Sequence, residues 1–195
     1  MTVCTLAARL PVTQSTRQNV EVFIRRATPA DAEGIRAVIQ DVYVEYGWPW
    51  EPDSYHQDLY HFDDHYLIPA CDFFVAECDG MVVGAGGLVT FDLIGGTPGE
   101  LVSVDGTIRI AGTDCEIARL YVLKQHRGKG MGKAINNAIV DAARHRGCKA
   151  IEIWSDKRLH EAHNMYKGIG AAPAGERLCH DVEQSPEWGF MMVLS

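Results

Sequence analysis

Gln125-His126-Arg127-Gly128-Lys129-Gly130-Met131-Gly132 is the stretch on which the fold turns. An apolar strand-like run, Ile117-Ala118-Arg119-Leu120-Tyr121-Val122-Leu123, comes directly before it, and an amphipathic helix-like run from Lys133 to Arg146 follows. A glycine-rich turn between a strand and a helix leaves backbone N–H groups unpaired at the positive end of the helix dipole. Phosphate is the anion most often held there. Glycine keeps side chains away from the anion and permits positive φ. Arg127, Lys129 and Lys133 add positive charge at the same place.

Two familiar phosphate loops do not fit these letters. A P-loop needs Gly, four residues, then Gly-Lys-Ser/Thr. Here Gly132-Lys133 is followed by Ala134, and Arg127 stands at the first glycine position. A dinucleotide loop needs GxGxxG and an acidic residue about 20 positions on, after the next strand. Here the glycines read GxGxG and no such acid follows. The pattern that does fit is Gln125-x-x-Gly128-x-Gly130. A second segment accompanies it: the alternating run Ala150-Ile151-Glu152-Ile153-Trp154-Ser155, then His160-Glu161-Ala162-His163-Asn164-Met165-Tyr166-Lys167-Gly168-Ile169-Gly170-Ala171.

Together these segments resemble the acetyl-CoA loop and the later Asn/Tyr helix of the GNAT acyltransferase superfamily. The specific motifs lie between about residues 114 and 171, and the order of elements agrees from about 22 to 195. Ala171 stands where the family more often has Phe, a position that usually packs in the core. The resemblance implies an α+β fold with a central mixed, mostly antiparallel sheet flanked by helices. It also implies an N-acetyltransferase using acetyl-CoA directly, in a ternary complex, with no metal. The acceptor it implies is a primary amine, on a small molecule or amino acid, with a protein N-terminus or lysine left open. An acyl-CoA-binding sensor without turnover is the competing class, and a nucleotide-binding regulator is disfavoured by the two failed loop matches.

The resemblance makes Tyr166 the general acid for the departing thiolate. A free phenol near pKa 10 is a weaker acid than a thiol near 8.5, so the site has to tune both. The alternative is a core tyrosine spaced from Ala162 and Ile169. Glu116 resembles the family's base, against a solvated strand-end acid, and Glu152 and Glu45 are its rivals. Backbone N–H groups of Leu120, Tyr121 and Val122 would polarise the thioester carbonyl, as the family's bulged fourth strand does. Gln125, Arg127, Gly128, Lys129, Gly130, Met131, Gly132 and Lys133 would hold the coenzyme, with Asn164 a further contact. Tyr46, Trp48 and Trp50 either line the amine pocket or anchor a loop. Cys115 reads as a buried thiol. His61 and His65, four apart with Asp58 and Asp64 nearby, have metal-ligand spacing but no HExxH pattern, and a solvated polar helix is the simpler reading.

The 195 residues suffice for one domain with a substantial core. Hydrophobic content of 47% and charged content of 23% are those of a globular chain. No run is long and apolar enough for a membrane span, and the N-terminus lacks a secretory pattern. The six scattered cysteines include no CxxC pair and read as reduced thiols, so a cytoplasmic location is expected. A net charge of −8 argues against a nucleic-acid partner and is compatible with a cationic amine. A homodimer is left open.

Residues 1–20 are expected to be a loose tail before a single domain over 21–195. Val22–Arg26 reads as a strand. Thr28-Pro29-Ala30-Asp31 is a helix start, with Ile35, Val38, Ile39 and Val42 on one face and a break at Gly47-Trp48-Pro49-Trp50. A second helix is expected over Asp53–Leu67. Strands are expected at Phe73–Glu77 and Met81–Phe91, joined by Asp79-Gly80. Residues 92–113 read as an enlarged connection carrying an extra hairpin at Asp105-Gly106. Strands at Arg177–Val182 and Trp188–Leu194 would close the sheet.

Overall fold

The computed structural model describes residues 22–194, so the expected tail lies outside the described residues. The chain starts with β1 (Val22–Arg26) and a single 3-10 turn, Pro29–Asp31, that leads into α1 (Ala32–Tyr46). Asp31 shows why the helix starts here. Its carboxylate accepts from the Thr28 N–H at 2.8 Å and the Thr28 hydroxyl at 2.9 Å, and two Arg25 nitrogens each approach to 2.8 Å. These partners hold its carboxyl well below the usual range, at about 2, with the Arg25 hydrogen bonds the main cause. Gly47 closes α1 in the left-handed conformation.

The expected helix over 53–67 is not continuous. It is two short helices, α2 (Gln57–Tyr60) and α3 (Phe62–Tyr66), broken at His61, whose φ and ψ are −115° and 45°. Leu59, Phe62 and Tyr66 are buried in the same core from either side of the break. His61 is the N-cap of α3, and among the described residues the His61/His65 pair is not in a group with metal-ligand proximity. Asp58 is engaged elsewhere, accepting from the Tyr66 hydroxyl and from Arg119.

The strands β2 (Cys71–Cys78), β3 (Met81–Thr90), β6 (Cys115–Val122), β7 (Ala150–Asp156), β8 (Ala172–Leu178) and β9 (Pro186–Val193) join β1 in one sheet. Its order is β1-β2-β3-β6-β7-β9-β8, and only β6 and β7 run parallel. The extra hairpin, β4 (Leu101–Val104) with β5 (Thr107–Ile110), pairs apart from that sheet. The strand expected over 177–182 lies earlier, at 172–178, and β9 separates it from β7. Residues 180–182 turn away from the ladder, and the Val182 N–H bonds the Glu51 carboxylate instead.

Helices α4 (Met131–His145) and α5 (His160–Gly168) cover one face of the sheet, and α1 to α3 cover the other. Alternation along β2 shows the two layers. Phe74 and Ala76 pack with Ile135 and Ile139 of α4, while Phe73 and Val75 pack with Ile35 and Ile39 of α1. Gly86 lets α4 lie close on β3, since a Cβ there would sit 2.8 Å from Leu120 and 3.1 Å from Ile135.

Candidate active site

The site follows from a defect in strand pairing. β6 and β7 pair only over Cys115–Ile117 against Ile151–Ile153, although β6 runs on to Val122 and β7 to Asp156. Past Ile117, the edge of β6 that faces β7 has no strand partner. A cleft of about 330 Å³ opens there, lined by Leu120, Tyr121 and Val122 of β6, Met131 of α4, and Ala162, Met165 and Tyr166 of α5. β6 is also bulged. Ala118 pairs with Gly87 and Tyr121 with Ala85, so Arg119 and Leu120 together oppose one β3 residue, and Arg119 takes φ +54°.

The glycine loop forms one end of this cleft. After a 3-10 turn over Lys124–His126, Gly128 and Gly130 have φ of 72° and 85°, and Gly130 is the N-cap of α4. A Cβ on either would meet no atom within 4 Å. Glycine is therefore required here by backbone conformation, and the space over the loop stays open. Arg127, Gly128, Gly130, Met131, Gly132 and Lys133 line the cleft. The first N–H groups of α4 have no helical acceptor and are left for an anion.

Not every expected side chain joins them. Arg127 forks onto Glu45 at 2.9 and 2.7 Å and donates from Nε to the Val122 carbonyl at 2.8 Å, so its charge is balanced while it fastens the loop to α1 and β6. Lys129 donates to the Gln125 carbonyl at 3.0 Å; both side chains are exposed and neither lines the cleft. Asn164 is exposed on another side of α5, in a depression with His160, His163 and Lys167. Leu159, at the start of α5, borders the cleft instead.

A second cavity, of about 270 Å³, lies on the α1 side and is mostly polar. Tyr43, Trp48, Tyr55, Tyr66, Glu116, Arg119, Trp154, Arg177 and Glu187 are among its walls. The two spaces share Leu120, Tyr121, Leu159, Ala162 and Tyr166. Tyr166 is 4% exposed, and burial pushes its phenol above the ordinary value. The Glu116 side chain keeps 30% of its surface open. Desolvation raises its carboxyl above the usual range, opposed by Arg109, whose nearest nitrogen is 3.5 Å away.

The rival carboxylates have structural partners. Glu152 is fully buried and accepts from Arg109 Nε at 2.5 Å, the Ile110 N–H at 2.8 Å and the Thr113 hydroxyl at 3.3 Å, so it braces the β4–β5 hairpin. Glu45 holds Arg127. Glu187, which the sequence did not single out, lines the polar cavity against Arg177 at 2.7 Å, and desolvation raises its carboxyl. Of the expected aromatic cluster, Trp48 lines the polar cavity and Tyr46 the apolar cleft. Trp50 stacks on His56 with centroids 3.9 Å apart. Tyr43, Tyr55, Tyr66 and Arg119 were also missed. Arg119 left one signal, a charge inside an otherwise apolar strand run.

Among the described residues, one group has metal-ligand proximity: Asp114, Cys115 and Cys148, with ligand atoms within 4.8 Å of one another. It lines neither cavity. Asp114 already accepts from the Lys149 and Ala150 N–H groups, and burial pushes the Cys115 thiol up, which keeps it neutral.

A mixed sheet splayed beside a glycine loop, with two cavities that share Leu120, Tyr121, Leu159, Ala162 and Tyr166, suits an acyltransferase. The chain belongs to the acetyltransferase (GNAT) family, whose model matches residues 35–171. It is 29% identical over 152 residues to YjgM, an uncharacterized N-acetyltransferase of Escherichia coli K12, a match covering 75% of this chain and 80% of that protein. Its fold is similar to that of a GNAT acetyltransferase from Staphylococcus aureus Mu50 (TM-score 0.68, 16% identity, 90% of this chain and 100% of the other). It is also similar to that of yncA, a putative acetyltransferase from Salmonella typhimurium solved with its cofactor acetyl-CoA (TM-score 0.64, 18% identity, 90% and 95%). Among the described residues, no helix is long and apolar enough to cross a membrane.

Proposed function

We propose that this protein transfers the acetyl group of acetyl-CoA to a primary amine on a small molecule or amino acid, by direct attack within a ternary complex. One observation carries the reading: the cleft that starts at the glycine loop and the polar cavity that holds Glu116 meet at Tyr166, Leu120 and Tyr121. A long thioester donor and a short amine acceptor can then approach one point from opposite sides. That arrangement suits direct transfer, because both reactants must be held together for attack.

In this reading the phosphates lie against the N–H groups at the start of α4, beside Lys133. The thioester arm follows the unpaired edge of β6, where free N–H groups between Leu120 and Val122 polarise its carbonyl as charge develops. Glu116 takes a proton from the amine, directly or through water. The nitrogen attacks the carbonyl carbon, the carbon–sulfur bond breaks, the sulfur receives the Tyr166 phenolic proton, and the proton that the nitrogen then sheds restores the phenol through water. Burial raises the phenol and widens the uphill gap, and the same dry surroundings raise the thiol and offset that widening. The five described cysteines are free, which agrees with a reducing cytoplasm.

The test is release of CoA thiol across a panel of primary amines, peptides with free N-termini and lysine side chains included. Acceptor-dependent release supports the transferase reading. Tight acetyl-CoA binding with no acceptor-dependent release from any amine would make the chain a coenzyme-binding module instead.

A further inference from the structure

The polar cavity holds a cation with one unpaired donor. Arg119 donates from Nε and Nη2 to the two Asp58 oxygens at 2.9 and 2.8 Å, and from Nη2 to the Tyr55 carbonyl at 2.6 Å. Its Nη1 is buried and has no hydrogen-bond partner. Leaving such a charged donor unpaired is costly, and ordinary packing removes it. Here the bulge creates it. Ile117 and Leu120 pack into the α4-side core, while Ala118 and Tyr121 pack into the α1-side core. Regular alternation would send residue 119 to the same face as residue 117. The extra residue, at φ +54°, makes room for Arg119 beside Ala118 on the face that lines the cavity with Glu116. Tyr43, Tyr55 and Tyr121 share those walls, and burial raises all three phenols, so they remain proton donors at neutral pH. Glu116 and Glu187 face the same space and suit a cation.

We propose that the acceptor is a free amino acid, whose carboxylate Arg119 binds through Nη1 with help from the tyrosine hydroxyls, while its amine lies toward Glu116. The idea rests on the acetyltransferase reading and narrows its substrate. The cavity offers donors to an anion at Arg119 and the tyrosines, and carboxylates to an ammonium group at Glu116 and Glu187. A space of about 270 Å³ suits one amino acid better than a folded polypeptide surface. A decarboxylated amine would leave Nη1 unpaired, and a site built around a buried polar group discriminates strongly against ligands that lack its partner.

The experiment compares each of the twenty amino acids with its primary amide and its decarboxylated amine, by thiol release on the wild-type protein and by calorimetry without coenzyme. For the best acceptor, kcat/KM is expected to fall at least about 100-fold on losing the carboxylate. Arg119→Lys keeps a charge for Asp58 but loses the fork, so it should lower kcat/KM for the acid at least about tenfold more than for the amide. Because that variant also touches the bulge, the wild-type comparison stands independently of it. Amides or amines turned over as well as the acids would overturn the proposal and leave the transferase reading intact. If no amine releases thiol, the transferase reading fails, and calorimetry still decides this one. Amino-acid binding that is lost in the amides supports carboxylate recognition, and no amino-acid binding overturns it.

Discussion

Replacing Tyr166 by phenylalanine removes one oxygen atom at the point where the cleft and the polar cavity meet. The ring is 4% exposed and packs 5.9 Å, centroid to centroid, from Phe190, and phenylalanine preserves both the volume and that contact. Desolvation and the neighbouring Tyr121, with no hydrogen bond, account for the raised phenol, so the variant strands no partner. Folding stability should therefore change by less than about 1 kcal/mol. The rate should not be spared. General acid assistance to a leaving group is worth about 100- to 10,000-fold, or roughly 3 to 5 kcal/mol of barrier. The expected result is that fall in kcat with coenzyme affinity nearly unchanged, because the proton is needed only as the carbon–sulfur bond breaks. Single-turnover thiol release and thermal unfolding, measured on the same preparations, separate the two effects. A loss below about threefold, with chemistry shown to limit the rate, would reduce Tyr166 to a packing residue. A large loss of stability would mean that its hydroxyl has a protein partner.

Three further outcomes are expected. Desolvation raises the Glu116 carboxyl above the ordinary glutamate range, so with Glu116 as the proposed base kcat/KM should climb with pH as that carboxyl ionises. Glu116→Gln should depress kcat/KM most near neutral pH and recover in part at high pH, where free amine is abundant; superimposable pH profiles would take Glu116 out of the mechanism. Gly130→Val places a branched side chain at φ 85° in the open space over the loop, so CoA affinity measured by calorimetry should drop by at least about tenfold. Unchanged tight binding would move the phosphates elsewhere. His56 is fully buried, and desolvation pushes its imidazole down to about 4. The unfolded imidazole takes its proton near 6.5, so stability is complete above that pH and is lost as pH falls toward 4, by up to about 3 kcal/mol. Glu116 and Glu187 are raised and act in the opposite direction, so the test is the difference from His56→Asn in urea titrations at pH 7 and 4.5. Equal slopes would show that His56 protonates normally.

Local chemistry determined what the sequence could show alone. The loop from Gln125 to Gly132, the Thr28-Pro29-Ala30-Asp31 helix start, the Asp79-Gly80 turn and the inserted hairpin were legible because each depends on neighbours a few residues away. The loop pattern and the later helix were enough for the family. Tertiary structure decided how the charges are used. Arg127 is matched by Glu45, Glu152 is held under the β4–β5 hairpin, and Asn164 faces away from the cleft, all through pairings or packing that spacing along the chain does not reveal. The helix expected over 53–67 is broken at His61, whose φ and ψ of −115° and 45° leave the helical region, and the apolar spacing of Leu59, Phe62 and Tyr66 gave no sign of it. The polar cavity was the least legible part, since its walls come from α1, the loop before α2, α3, β6, β7, α5, β8 and β9. A bulge is one residue out of phase, visible only once β3 lies beside β6, and it is that single shift which brings Arg119 and Glu116 to the same space.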